Sequence, residues 1–144
     1  MYMKNWITKL ICIFLPLASM AMPPEETMVV EVNGIKHPGG QIGVRVFRND
    51  SEMFDNPFRV VHAPNVNGKV IVEIDQLTFG DYAIVAYHDE NNNQQLDHNA
   101  LGFPKESLGY SGDYHFGLFS GMPTFAKLKI KFSHQAETIK ISID

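Results

Sequence analysis

Apolar side chains recur at every second position almost throughout residues 28–143, and that period constrains the fold more than any other feature of the chain. Ile139, Ile141 and Ile143 alternate with Thr138, Lys140 and Ser142, and Leu128, Ile130 and Phe132 alternate with Lys127, Lys129 and Lys131. Val70, Val72 and Ile74 form the inward face of another such run. A strand places successive side chains on opposite faces, so each run reads as a half-buried strand. Turn-forming residues such as Asn33-Gly34, Pro38-Gly39-Gly40 and Asn67-Gly68 interrupt the runs roughly every eight to twelve positions. The expected strands are 28–32, 42–47, 59–62, 70–74, 82–87, 128–132 and 139–143, with no convincing helix. The chain is therefore expected to be all-β, an antiparallel β-sandwich of about seven strands. Strand 82–87 is apolar at nearly every position, which predicts burial on both faces. Before it, Leu77, Gly80 and Tyr82 are spaced as a corner, with Gly80 expected to make the reversal and the Tyr82 hydroxyl to bond the upstream backbone.

Residues 1–21 read as a signal peptide. Lys4 and Lys9 give the positive end, residues 10–17 the apolar stretch, and Ser19-Met20-Ala21 a small-residue exit. The apolar run is too short for a membrane span and is interrupted by Pro16. Cys12 lacks a Leu three positions before it, which argues against a lipoprotein anchor. Cleavage leaves residues 22–144 as a single domain, a secreted or periplasmic protein without cysteine, and so without disulfides or thiolate chemistry. Loss of Lys4 and Lys9 takes the formal net charge from −4 to −6. That acidity disfavours nucleic acid and anionic lipid as partners and tolerates divalent cations.

The chemistry concentrates just after strand 82–87, in a long irregular insertion that opens on Asp89-Glu90-Asn91-Asn92-Asn93-Gln94-Gln95-Leu96-Asp97. Asp89, Asn91, Asn93 and Asp97 occupy relative positions 1, 3, 5 and 9 of a loop, a spacing that lets alternate oxygen-bearing side chains converge. Oxygen donors in that pattern suit Ca2+, with the Gln95 carbonyl as a fifth ligand and Glu106 or water completing the shell. Helix-loop-helix calcium sites carry Gly at position 6 and Glu at position 12; here those positions are Gln94 and Ala100. The expected affinity is accordingly weak, on the order of 10⁻⁴ to 10⁻³ M. The alternative is that the same residues only make Asx-turns in a hairpin loop.

Residues 101–123 follow, rich in Gly and aromatic residues. Phe103, Tyr110 and Tyr114, with Tyr87 on the preceding strand, are candidate ligand-binding residues for a sugar or peptide; the alternative is that the rings fold back and cover the end of the sandwich. His37, His62, His88, His98, His115 and His134 show no repeated ligand spacing, and no serine sits in a nucleophile elbow, so the chain is not expected to be an enzyme.

The series Tyr87-His88-Asp89-Glu90-Asn91-Asn92-Asn93, Leu96-Asp97, Leu101-Gly102-Phe103-Pro104-Lys105-Glu106 and Gly109-Tyr110-Ser111 resembles domain-of-unknown-function family 2141, DUF2141, of small secreted bacterial proteins. The resemblance covers nearly all of residues 22–144, with the strict motif within 82–125. Members similar to this usually have Gly where Gln94 stands, and a segment richer in Asn, Arg and Pro where residues 113–122 lie. The resemblance implies an immunoglobulin-like or prealbumin-like sandwich in the cell envelope or outside the cell, and no established activity. Three functional expectations follow. The first is a non-enzymatic binding or structural module with a calcium-rigidified loop and a protein or glycan partner. The second is a carbohydrate-binding module using the loop aromatics. The third, by fold analogy, is a non-haem iron enzyme built on Tyr87, His88, Tyr110, Tyr114 and His115.

Overall fold

The computed structural model describes residues 24–53, 55–66, 68–117, 119–133 and 138–144. The signal-like segment, Asn67 and His134 lie outside them. Eight strands are present among the described residues: β1 (Glu26–Asn33), β2 (Gln41–Phe47), β3 (Arg59–Pro64), β4 (Val70–Leu77), β5 (Gly80–Asp89), β6 (Leu108–Tyr110), β7 (Ile130–Phe132) and β8 (Ile139–Ser142). They form a three-stranded sheet in the order β4-β1-β8 and a five-stranded sheet in the order β3-β2-β5-β6, with β7 also pairing β5. The fold is all-β, and two expectations about it are corrected. Among the described residues there are eight strands where about seven are expected, because Leu108-Gly109-Tyr110 is too short to show a period yet pairs with residues 85–87. The sandwich is also not wholly antiparallel, since β8 runs parallel to β1, pairing Val30 with Ile139 and Val32 with Ile141.

The two C-terminal runs do not form a hairpin. β7 joins the five-stranded sheet through Gly80, Asp81 and Tyr82, whereas β8 joins the other sheet. The expected start of β7 at Leu128 is displaced by a one-turn helix, α1 (Phe125–Leu128). Its first N–H donates to the Asp50 carboxylate at 2.9 Å, and Leu128 is fully buried against the outer face of β5. The alternation of Lys127 with Leu128 thus belongs to a helical turn, and Lys127 Nζ donates to the carbonyls of Ser120 and Met122 at 2.6 and 2.9 Å.

Alternation sorts the core into two parts. Even-numbered positions of β2 and β5, Ile42, Val44, Val46, Tyr82, Ile84 and Ala86, face Met28, Val30, Val32, Val72 and Ile74 across the sandwich. Odd-numbered positions carry a second cluster on the outer face, where Phe47, Ala83 and Val85 are covered by Met53 and Leu128. β5 is therefore buried on both sides, as its continuous apolar run predicts. At the corner before it, Tyr82 is buried and its hydroxyl donates to the Thr78 carbonyl at 2.8 Å. The left-handed residue there is Gln76, with φ 59°, at a register shift opposite Glu26 and Met28, and not Gly80. A bulge absorbs the extra residue and leaves Gly80 in ordinary strand geometry.

Candidate functional site

β5 ends at Asp89, whose side chain lies on the outer face directly opposite Gln41 of β2. The residue is fully buried, and its carboxylate is held from three directions. Oδ2 accepts from Gln41 Nε2 and from the Gln94 N–H, both at 2.7 Å, and Oδ1 accepts from the Asn93 N–H at 3.1 Å. Burial alone would raise the carboxyl's pKa, but hydrogen bonds from Gln41 and the 92–94 backbone outweigh it and hold the group below its ordinary value. The loop curls around this anchor by taking left-handed backbone at Asn92 (φ 58°) and Gln94 (φ 63°). Asn tolerates that conformation, whereas Gln at φ above zero costs roughly 1–2 kcal/mol.

Above Asp89 the alternate side chains meet. Asn91 Nδ2 donates to Asp97 Oδ2 at 2.8 Å, and Asn93 Nδ2 donates to both Asp97 oxygens at 3.1 Å. Asn91 Oδ1 accepts from the Asn93 N–H and Asn93 Oδ1 from the Gln95 N–H, at 3.0 and 2.8 Å, which are Asx-turns. From the far side of the insertion, Glu106 Oε2 accepts the Asp97 N–H at 3.2 Å, and Lys105 N–H donates to the Asp97 carbonyl at 2.9 Å. Burial, reinforced by the negative charges of Asp89 and Asp97, pushes Glu106 up to about 7. Among the described residues no group of three or more His, Cys, Asp or Glu side chains is disposed to hold a metal ion. The loop's other oxygen donors are the side-chain amides of Asn91, Asn92, Asn93, Gln94 and Gln95 and main-chain carbonyls.

Glu106 also lines a cleft of about 1110 Å³ on the outer face of the five-stranded sheet. Val85, Leu108 and Tyr110 form its sheet side, and Phe103, Tyr114 and Phe116 stand around it on the two long loops. The Tyr110 and Tyr114 rings meet edge to face at 5.2 Å and 85°, and the Tyr114 hydroxyl donates to the Gly121 carbonyl at 2.6 Å.

Residues 30–140 match the family model described as an uncharacterized protein conserved in bacteria, DUF2141. The chain belongs to the DUF2141 family. No curated protein and no solved structure matches it.

The DUF2141 fold brings Asp89, Asn91, Asn93 and Asp97 into one hydrogen-bonded cluster, with Gln95 contributing its N–H to it. Phe103, Tyr110 and Tyr114 line a single cleft. Tyr87 does not join them. It is buried on the outer face against Gly43, where any Cβ would overlap its ring, and its hydroxyl meets His62 Nε2 at 3.0 Å. Burial pushes that phenol up to about 12. The two alternatives for the aromatic loop divide by residue. Tyr110 and Tyr114 pack on the outer cluster, whereas Phe103, Phe116 and Phe119 are exposed. Of the five residues of the iron expectation only Tyr110 and Tyr114 meet each other; Tyr87 pairs with His62, His88 Nε2 bonds the Gly39 carbonyl at 2.9 Å, and exposed His115 lies 3.6 Å from Asp144. Sequence reasoning missed Gln41, 48 residues from the Asp89 it anchors, and the cleft residues Asp55, Met122 and Asp144. Only strand register and loop packing bring these into place, and neither leaves a local signal.

Proposed function

We propose that this DUF2141 domain is a non-enzymatic binding module of the cell envelope or exterior, an immunoglobulin-like or prealbumin-like sandwich whose 89–97 loop is rigidified by Ca2+. The observation that carries the reading is the meeting of Asn91, Asn93 and Asp97 in the loop whose Asn93 N–H is held by the buried Asp89 carboxylate. The side-chain NH2 groups of Asn91 and Asn93 donate to the Asp97 carboxylate but leave its charge in place, which a divalent cation would balance. Burial is the main cause of the raised Glu106 pKa, and the charges of Asp89 and Asp97 add to it, a smaller part that a cation would relieve. Side-chain oxygens of Asp89, Asn91, Asn93 and Asp97 and the Gln95 carbonyl would hold the ion, with Glu106 or water completing the shell. The signal-like residues 1–21 support export.

The test is a thermal melt of the 22–144 protein in chelator and in about 10 mM calcium, an excess of roughly 10- to 100-fold over the expected dissociation constant. Mass action then stabilises the domain by about 1.4–2.7 kcal/mol, or roughly 5–10 °C. Asp97→Ala, at a partly exposed position, should abolish the rise while lowering the apo melt only slightly. Identical wild-type melts in chelator and calcium would reject the ion.

A further inference from the structure

Four of the large apolar side chains that stand exposed, Leu101 (82%), Phe103 (57%), Phe116 (60%) and Met122 (67%), line the same cleft although they come from two different loops. Exposed apolar surface gathered in this way marks an interaction site. The charge of the walls selects the occupant: Asp55, Glu106 and Asp144 line the cleft with Lys105 and His98, three acidic residues to one ammonium. The sheet side adds main-chain groups. Ser111 N–H bonds Ile84 and Ser107 C=O bonds His88, so strand alternation turns the N–H and C=O of Leu108 and Tyr110 away from β5. The Leu108 carbonyl already takes an amide from outside the sheet, that of Asp144, at 3.3 Å.

We propose that this cleft binds an extended peptide segment of a partner protein that alternates bulky apolar with basic side chains. The inference rests on the binding-module reading and gives it a ligand class. Apolar residues of the segment cover Phe103, Phe116 and Met122, its Lys or Arg side chains meet Asp55, Glu106 and Asp144, and its backbone meets Tyr110. A sugar is a poorer match. The two packed tyrosines are perpendicular and offer no flat platform, and no Asn or Gln is among the described lining residues. An anionic membrane is poorer too, because the apolar groups line a concavity with acidic walls.

The test uses three fluorescein-labelled peptides of one length, built from Leu/Phe/Lys, Leu/Phe/Glu and Gly/Ser/Lys, read by anisotropy at physiological salt. The first should bind the wild type about tenfold more tightly than either other peptide, and Phe103→Ser with Met122→Ser, at exposed positions, should weaken it about tenfold with an unchanged melt. Equal binding of the Glu or the Gly/Ser peptide, or full binding by the double variant, overturns the proposal. So does sedimentation with phosphatidylcholine–phosphatidylglycerol vesicles that the same variant abolishes while the peptides do not bind. Calcium-dependent melting is measured on the same samples. A calcium shift without peptide binding sinks only the ligand class, and peptide binding without the shift sinks only the ion.

Discussion

Asp89→Asn isolates the group on which the polar loop is built. The carboxylate accepts three hydrogen bonds inside a fully buried residue, two on Oδ2 and one on Oδ1. Asparagine must turn its NH2 toward one of those positions. Facing Gln41 and Gln94 it opposes two donors, so the favourable orientation sets NH2 against the Asn93 N–H and keeps the carbonyl at Oδ2. That choice loses one charge-assisted bond, worth about 1.5–3 kcal/mol, and weakens the other two to neutral bonds of about 0.5–1.5 kcal/mol. Release of a buried charge returns part of the loss, leaving a destabilisation of about 2–4 kcal/mol. Urea unfolding at neutral pH in chelator measures it, with Asp97→Asn as the comparison. Asp97 is bonded mainly by the exposed amides of Asn91 and Asn93, so its change should cost under about 1 kcal/mol. Equal small losses at the two positions would refute the account, because Asp89 would then be solvated and not the anchor of the loop.

Glu106→Gln should stabilise the calcium-free domain above neutrality by about 1 kcal/mol after allowance for solvent screening, with no gain below pH 4.5. The sign follows from a folded pKa raised from 4.5 to about 7: the wild type keeps its full stability below the unfolded value and loses it as pH rises between the two, a loss that glutamine escapes. Urea midpoints across that range check it. Tyr82→Phe removes the 2.8 Å bond to the Thr78 carbonyl and should cost about 1 kcal/mol in the same assay. Gly43→Ala drives a methyl into the Tyr87 ring, so a loss of about 1–3 kcal/mol is expected, with a changed near-UV tyrosine signal from displacement off His62.

Period-two alternation made the all-β class legible, and the continuous run of β5 announced a strand buried on both sides. The spacing of Asp89, Asn91, Asn93 and Asp97 marked the loop where side chains gather, because alternate positions of a curled loop share one side whatever surrounds them. Three things were decided only by tertiary structure. β8 lies parallel to β1 and apart from β7, since sheet order depends on which edge is open and not on the pattern within a strand. Tyr87 went beneath Gly43 while Tyr110 reached the cleft, because cross-strand register pairs a residue with whatever lies opposite. The acidic, apolar-rimmed cleft joins Asp55, two loops and Asp144, and such a surface exists only when distant segments have packed. Local periodicity sets which way a side chain points; long-range pairing sets what it meets.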